Sequence, residues 1–464
     1  MFYIMKNLMQ KLKIGFAGLG LIGASYFNSA NAQENYQPKY NTLAHKMVMI
    51  EDSGRIGSHI SLEKLDKVID HSKKFVKKTR YTKQELSDLS KKIYSTINDV
   101  DYSLAHDNDE APLFPGDLPA CYLYSLYYLG VGEANNLPFY AVNFEKKSCF
   151  NCTPEFSEHI LFEENSLGHI FIRYDPNGKH NPVNPNDLVN NGDINIESSN
   201  GEIQDEEYYS DNYYIWKYDI SEISLKNKYS LVNLDEKKLL GLAYGWRGAN
   251  TLVYANRKRR QAKDELDKEI GDCKVIRNSY YGYNSPATQS QKEECLVKKN
   301  IEFRKDSIEK WHFKLINEAF KYLDKTIELN PNSFTAYYCK GGGYESLNTE
   351  NSETNKDFAL KSIENYIKAA KIAPSSGIYK KIAFNYPSIS KDDCYKDIEY
   401  ITKAINLDKK NLAKENMKKG KNNLEKLRCK YLSNRIKYLE DCKKNIEKSA
   451  EYDFNRCDTL KKSK

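Results

Sequence analysis

The sequence predicts two folded regions in succession, an α+β domain followed by a domain built only of helices. Three observations support this prediction. Two amphipathic helical patterns lie near the N-terminus, short β-branched and aromatic segments fill the middle, and helical periodicity continues from about residue 235. The chain of 464 residues has room for two or three domains, and its composition, 40% hydrophobic and 12% aromatic, can form buried cores.

The N-terminus has the three-part pattern of a secretory signal peptide. Three lysines precede the apolar run "IGFAGLGLIGASYF", which is short for a membrane span, and Ala30 and Ala32 fit the small-x-small cleavage motif. An uncleaved anchor or a core helix are the alternatives. We predict cleavage after Ala32, so residues 1–32 are the signal peptide and residues 33–58 a flexible leader. The mature protein is then exported, periplasmic or extracellular, with no membrane span.

The α+β domain is predicted over residues 59–234. Its helical part contains "SLEKLDKVIDHSKKFVKK" and "KQELSDLSKKIYSTIND", whose apolar residues return every three or four positions. A further helix is predicted in "DLPACYLYSLYYLG", because proline favours the first helical turn. Three strands are expected in "LPFYAVNF", "GHIFIRYD" and "INIES", which are short and rich in β-branched and aromatic residues.

The helical part repeats. "LDKTIELNPNS", "IKAAKIAPSSG" and "ITKAINLDKKN" align with Lys325, Lys368 and Lys403 in register, at spacings of 43 and 35 residues. These spacings bracket the tetratricopeptide period of about 34 residues. We therefore predict tetratricopeptide-like repeats, with a non-repeating helical domain as the alternative. The predicted boundaries are residues 235–408 for the repeats, 264–300 for an insertion within them, and 409–464 for C-terminal capping helices.

The chain has ten cysteines. In an exported protein some of them can form disulfides, because disulfides persist in oxidising compartments. Cys149 with Cys152, and Cys273 with Cys295, are candidate disulfides. A zinc site using Cys149, Cys152 and His159 is an alternative, although one CxxC with a single nearby histidine is a weak metal signal. We predict no metal.

Cys121 is the candidate nucleophile. Pro119 places it within the first turn of the predicted helix, where unpaired backbone amides and the positive end of the helix dipole favour a thiolate. A small buried cysteine is the alternative, since free cysteines are among the most buried residues. Activation also requires a base that is held by a third group.

His169 is the candidate base, at the start of a predicted strand. On the next strand Glu197 and Asn195 are two residues apart and therefore share a face. Either Glu197 or Asn195 can therefore be the third member that orients the histidine. A cysteine, a histidine and a carboxylate in this chain order are the parts of a cysteine triad.

The segments "CYLYSLYYLG", "LPFYAV", "GHIFIRYD", "INIESSNG", "EEYYSDNYYIWKYDI" and "YSLVNLDEKKLLGLAYGWRGAN" together resemble a bacterial branch of the transglutaminase-like superfamily, in which a papain-like domain precedes tetratricopeptide repeats. The resemblance covers about residues 110–255. It implies that Cys121 is the nucleophile, that His169 is the general base and acid, and that Glu197 orients the histidine. Arg173 and Tyr174 follow the family's strand pattern and are read as framework.

Two departures from the family pattern bear on function. Pro119 and Ala120 replace the Gly-Asn-like pair that relatives carry before the cysteine, and two insertions flank the implied cleft. The expected function is an exported thiol enzyme that acts on peptide or carboxamide bonds through a thioester. The alternative is a non-catalytic protein-binding scaffold whose working surface is the repeats.

Other classes of function lack a sequence signal. The net charge of +7 arises from 71 basic and 64 acidic residues, which is a weak argument for nucleic-acid binding. No phosphate loop, Rossmann glycine pattern, HExxH or EF-hand motif is present, so we predict no cofactor. The expected partner is a protein or peptide that binds the helical repeats, and the oligomeric state cannot be read from the sequence.

Overall fold

A computed structural model describes most of the chain, in which helices predominate and a small antiparallel sheet lies near the middle. The chain divides into two compact units. The first contains the residues up to Phe139 and Ser198–Glu202, and the second contains Tyr140–Glu197 and the residues from Ile203 onward. The described residues are 36–52, 61–101, 120–144, 169–177, 193–205, 208–218, 220, 222–273, 275–277, 284–286, 289–348, 354–385, 394–416, 429–430 and 433–448.

The first unit is built from four helices: α1 (Leu43–Asp52), α2 (Leu62–Ser72), α3 (Lys83–Val100) and α4 (Ala120–Ala134). The predicted helices in "SLEKLDKVIDHSKKFVKK", "KQELSDLSKKIYSTIND" and the Cys121 segment are confirmed. Helix α3 begins with a capping box between Thr82 and Glu85, which supplies partners to two backbone amides that would otherwise lack them. Helix α4 packs against the other three and is the central helix of this unit.

The predicted flexible leader is wrong for the part of residues 33–58 that the structure describes. Helix α1 lies within this range and fully buries Ala44, Met47 and Val48, which stand at helical spacing. His45 is also buried, and its Nε2 lies 3.0 Å from Oδ1 of Asp66 in α2. This segment is therefore part of the core of the first unit. The predicted signal peptide lies outside the described residues.

The sheet has five strands, β1 (Phe139–Phe144), β2 (His169–Tyr174), β3 (Ile194–Glu197), β4 (Glu202–Ile203) and β5 (Val232–Asn233), in the order β4-β3-β2-β1-β5. The three strands predicted from sequence are β1, β2 and β3. Strands β2 and β3 are antiparallel, with Arg173 opposite Asn195. Two short helices, α5 (Asp211–Tyr218) and α6 (Glu222–Lys226), lie between β4 and β5 in the chain. The α+β prediction for this part of the chain is confirmed at this level.

Long helices follow the sheet. Neighbours in sequence pack against one another, α10 with α11, α11 with α12 and α12 with α13, and α9 packs along α7. A β-hairpin and one short helix separate α7 from α9. The elements are α7 (Glu236–Cys273), β6 (Val275–Arg277), β7 (Asn284–Pro286), α8 (Gln289–Lys298), α9 (Ile301–Leu329), α10 (Phe334–Leu347), α11 (Thr354–Ile372), α12 (Ser376–Asn385) and α13 (Cys394–Asn416), and residues 433–448 form one more helix, α14.

Two features of this region bear on the predicted boundaries. Residues 264–273, the first part of the predicted insertion 264–300, continue α7 without a break. The three aligned segments also end differently. Helices α9 and α11 stop at Leu329 and Ile372, at equivalent positions of the alignment, whereas α13 continues past the third equivalent position to Asn416.

The "GGG" of residues 341–343 permits close helix packing. A Cβ at Gly341 would lie 2.7 Å from the ring of Tyr366, and one at Gly343 would lie 2.5 Å from the ring of Phe320. Both rings belong to the core that α9, α10 and α11 share. These glycines therefore let aromatic side chains rest directly on the backbone of α10, as expected for a packing motif rather than a phosphate loop.

A candidate Cys-His-Glu site

Cys121 is the second residue of α4 and a free thiol. The eleven residues that follow it, 122–132, are all buried, whereas Cys121 itself is partly exposed. The helix is thus buried on every side and reaches solvent at its first turn. The Cys121 thiol at this position is therefore partly accessible.

The hydroxyl of Ser198 makes two hydrogen-bond contacts with the start of α4 within the first unit. Ser198 Oγ donates a hydrogen bond to the backbone carbonyl of Cys121 at 3.2 Å, and it also lies 2.8 Å from Ser125 Oγ. Both serines are fully buried. Ser198 is the residue that follows Glu197 in the chain, and the sequence alone had assigned it no role.

His169 and Glu197 are bonded to each other in the second unit. Nε2 of His169 lies 2.7 Å from Oε2 of Glu197, and the side chains are 15% and 8% exposed. The strand register explains the contact. Because Arg173 faces Asn195, Glu197 stands opposite Phe171, one diagonal position from His169 on the same face. A largely buried carboxylate at this distance fixes the orientation of the imidazole ring.

Tyr214 contacts both members of this pair. Its hydroxyl donates to Oε2 of Glu197 at 3.0 Å, and its ring lies 5.8 Å from the His169 ring and stacks on Phe171 at 4.5 Å. Tyr214 belongs to α5 and is buried. Sequence reasoning missed it, because "YYSDNYY" offers several tyrosines and nothing in their spacing indicates which one meets the acid.

Arg173 forms a buried network beside the pair. Its guanidinium donates to Asp211 Oδ1 at 2.6 Å and to Asn195 Oδ1 at 2.9 Å, and the amide of Asn195 donates to the same Asp211 oxygen at 2.7 Å. Arg173 is 1% exposed. Asp211 begins α5, one turn before Tyr214, so this network anchors the helix that contacts Glu197. The contacts fit the prediction that Arg173 is framework, and they occupy the carboxamide of Asn195.

The structure therefore brings together His169 and Glu197, with Glu197 rather than Asn195 bonded to the imidazole. Cys121 belongs to the first unit. Cys149, Cys152 and His159 lie outside the described residues. Cys295 is disulfide-bonded, and its pairing with Cys273 remains a prediction.

Cys121 is partly exposed, whereas Cys339, another described free cysteine, is buried. Cys339 is buried in α10, and burial alone raises the pKa of its thiol to about 12. A thiol with so high a pKa is protonated at neutral pH and a poor nucleophile. Within the part of the chain that the structure describes, no three His, Cys, Asp or Glu side chains are placed to hold a metal ion.

No protein-family model matches this chain, and neither does any curated protein or solved structure. The transglutaminase-like and tetratricopeptide-like assignments therefore remain predictions. No helix among the described residues is both long enough and apolar enough to span a membrane.

Removing the hydroxyl of Tyr214 should weaken the support of Glu197. We expect Tyr214→Phe to lower the free energy of unfolding of the second unit by about 1.5 kcal/mol, because a buried hydrogen bond to a carboxylate is lost while the ring stacking is kept. All three tryptophans, at positions 216, 246 and 311, lie in the second unit, so their fluorescence during urea unfolding reports on it. Tyr337→Phe, at a half-buried tyrosine of the same unit, is the control and should change stability by less than about 0.5 kcal/mol. Equal losses in the two variants would contradict the proposed bond.

Proposed function

We propose that the protein is an exported, transglutaminase-like thiol enzyme that acts on peptide or carboxamide bonds through Cys121, His169 and Glu197. The observation that carries the proposal is the 2.7 Å contact between His169 Nε2 and Glu197 Oε2. The resemblance to the transglutaminase-like superfamily implies this same pairing. A buried acid that holds a histidine leaves the other ring nitrogen, Nδ1, as the one that exchanges protons with a nucleophile.

The proposed reaction proceeds through a thioester. His169 takes the proton of the Cys121 thiol, and Sγ bonds to the carbonyl carbon to give a tetrahedral oxyanion. The backbone N–H of Cys121 helps to stabilise this oxyanion. The C–N bond then breaks as His169 returns the proton to the leaving amine. Water attacking the thioester completes hydrolysis, and a primary amine completes transamidation. Hydrolysis is favoured here, because no motif indicates a pocket for an acceptor amine.

Two further features support the proposal. The Cys121 thiol is free and accessible at a helix N-terminus. Ser198, which one peptide bond joins to Glu197, contacts the backbone carbonyl of Cys121. In this proposal the packed helices α9–α13 bind the protein substrate or partner.

Thiol reactivity tests the proposal. Purified protein is treated with iodoacetamide near pH 6, and the alkylation rate of each cysteine is followed by peptide mass spectrometry. Cys429 and Cys442 are internal controls, because both are free thiols that, like Cys121, are partly exposed. We expect Cys121 to react at least about tenfold faster than either control, since only an activated cysteine has substantial thiolate at this pH.

The variants of the histidine and the acid complete the test. His169→Ala should reduce the rate at Cys121 to that of the control cysteines, and Glu197→Gln should reduce it in part, because the ring then loses its charged partner. Rates at Cys429 and Cys442 should not change in either variant. If Cys121 reacts no faster than these controls in the unmodified protein, the enzyme proposal is wrong, and a protein-binding scaffold becomes the better interpretation.

A further inference from the structure

Four side chains form a stripe along the outward face of the first half of α9. They are Phe303, Asp306, Lys310 and Phe313, at successive spacings of three, four and three residues, and such spacings place residues on one face of a helix. Phe303 is 61% exposed and Phe313 is 48% exposed. The two phenylalanines are therefore presented to solvent from one face, with an acid and a base between them.

The opposite face of α9 is the one that packs within the second unit. His312, Ile316 and Ala319 are buried there, and α9 packs along α7. This packing fixes which side of the helix points outward. A single exposed apolar residue is common on protein surfaces. The order of the four stripe residues, rather than their exposure alone, indicates a partner.

The stripe is symmetric in its spacing and complementary in its charges. Phe303 and Phe313 stand at its ends, Asp306 and Lys310 are each three residues from the nearer end, and both pairs are centred on Ile308. A second copy of α9 that runs antiparallel about this centre brings Phe303 to the level of the partner's Phe313. The same arrangement brings Asp306 to the level of the partner's Lys310. Each apolar ring then meets a ring, and each charge meets its opposite.

The charges also disfavour a parallel arrangement, in which Asp306 would face the partner's Asp306 and Lys310 the partner's Lys310. Within one chain Lys310 Nζ lies 2.7 Å from Oδ2 of Asp306, and the two side chains are 76% and 58% exposed. Antiparallel pairing adds the partner's opposite charges to this ion pair and gives a network of four alternating charges. Such networks contribute more than an isolated surface ion pair does.

We propose that the protein forms a two-fold symmetric homodimer through this stripe, with the same residues contributing from both copies. The stripe spans about 15 Å of helix, so the interface is smaller than that of a permanent complex. The expected dissociation constant is of the order of 10 µM. No residue of the stripe belongs to the Cys-His-Glu site, so dimer formation is independent of the proposed reaction.

Sedimentation velocity of the purified full chain tests the proposal. Between about 1 and about 200 µM we expect a reversible shift from the sedimentation coefficient of a monomer to that of a dimer. Phe303→Asp should weaken association by about tenfold or more, because it places a carboxylate against the partner's Phe313. The matched control is Phe384→Asp, at a phenylalanine of α12 that is 44% exposed in the same unit. It should leave association within about twofold of that of the unmodified protein.

Charge reversal tests the antiparallel register. Lys310→Asp should weaken association by about tenfold, since acids then face each other across the interface. The control is Lys305→Asp, because Lys305 is also exposed and also paired within α9, with Glu302 at 2.9 Å, but lies off the stripe. It should change association by less than about twofold. Combining Lys310→Asp with Asp306→Lys restores opposite charges between the copies, so association should return to within about threefold of that of the unmodified protein.

Three results would overturn the proposal. The first is a monomer at every concentration. The second is a dimer that Phe303→Asp weakens no more than Phe384→Asp does, which would place the interface elsewhere on the surface. The third is a charge-exchanged double variant that associates as weakly as Lys310→Asp alone, which would contradict the antiparallel pairing. All the substituted side chains are exposed, so each variant should keep the circular dichroism of the unmodified protein.

Discussion

Replacing Arg173 by methionine should destabilise the second unit by about 3–5 kcal/mol. Arg173 is one of the largest fully buried side chains, and its guanidinium donates to Asp211, Asn195 and the carbonyl of Leu231. Methionine fills part of the volume but leaves the Asp211 carboxylate buried without its cationic partner. The expected loss is large because an uncompensated buried charge, rather than the contact alone, determines the cost.

A double variant distinguishes this mechanism from simple loss of packing. Asp211→Asn combined with Arg173→Met removes both charges, so it should be more stable than Arg173→Met alone by at least about 1 kcal/mol. Urea unfolding followed by tryptophan fluorescence measures both variants in the second unit. If the double variant is less stable than the single one, packing rather than charge accounts for the loss.

An exposed ion pair in the same unit provides the control. Lys325 lies 2.7 Å from Glu328 on the surface of α9, with both side chains exposed. Lys325→Met should cost less than about 1 kcal/mol, because solvent screens the remaining carboxylate. A similar loss at both arginine and lysine positions would contradict the argument from burial.

The sequence predicted the elements of the sheet region well, because each has a strong local pattern. Alternation in "GHIFIRYD" and "INIES" indicates strands, and it also places Glu197 and Asn195 on one face. It could not choose between them. That choice depends on the register, which sets Arg173 opposite Asn195 and leaves Glu197 diagonal to His169. Register is a long-range property, so the identity of the acid had to remain open.

The end of the third aligned segment had a signal that was available in the sequence. Pro331 and Pro374 stand at equivalent positions after α9 and α11, whereas Lys409 occupies that position in the third segment. Without a proline the helix continues, because no backbone amide is removed. Asp408, buried at this point, pairs with Arg435 of α14 at 2.6 Å. This contact stabilises α13 at the point where the other two helices end. Because it depends on a residue 27 positions away, it could not be read from the local sequence.

Helix α1 was missed for a different physical reason. Its apolar face is short, and its position just after the predicted signal peptide suggested a loose leader. What stabilises the segment is tertiary. The Asp66 carboxylate accepts hydrogen bonds from Tyr36 at 2.6 Å and from the backbone of Lys39 at 2.7 Å, and it lies 3.0 Å from the His45 ring. Short helices generally depend on such packing rather than on intrinsic propensity.

Acidification should destabilise the second unit through His312. This residue of α9 is 1% exposed, and its Nε2 lies 2.8 Å from Oδ1 of Asn256 in α7. Burial lowers the pKa of His312 to about 4, and the positive charges of Arg259 and Lys263 contribute in the same direction, while Glu309 opposes them. The folded state therefore holds the neutral imidazole, whereas the unfolded chain protonates near pH 6.5.

The sign of the pH effect follows from this difference. Above about pH 6.5 both states have a neutral His312, and its full contribution to stability is present. As the pH falls from about 6.5 toward 4, the unfolded chain binds a proton that the folded protein excludes, so stability falls. A difference of roughly 2.5 pH units corresponds to about 3 kcal/mol.

The measurement compares the free energy of unfolding at pH 7 and pH 4 by tryptophan fluorescence. We expect His312→Gln to reduce the acid-induced loss by about 3 kcal/mol, because glutamine can still donate to Asn256 but does not titrate. His71→Gln, at an exposed histidine of the first unit, should leave the loss unchanged. A direct check is the NMR signal of the His312 ring, which should stay in its neutral form at pH 5. Titration of that ring near pH 6.5 would show that the imidazole reaches water, and the α7–α9 contact would then not be the source of acid sensitivity.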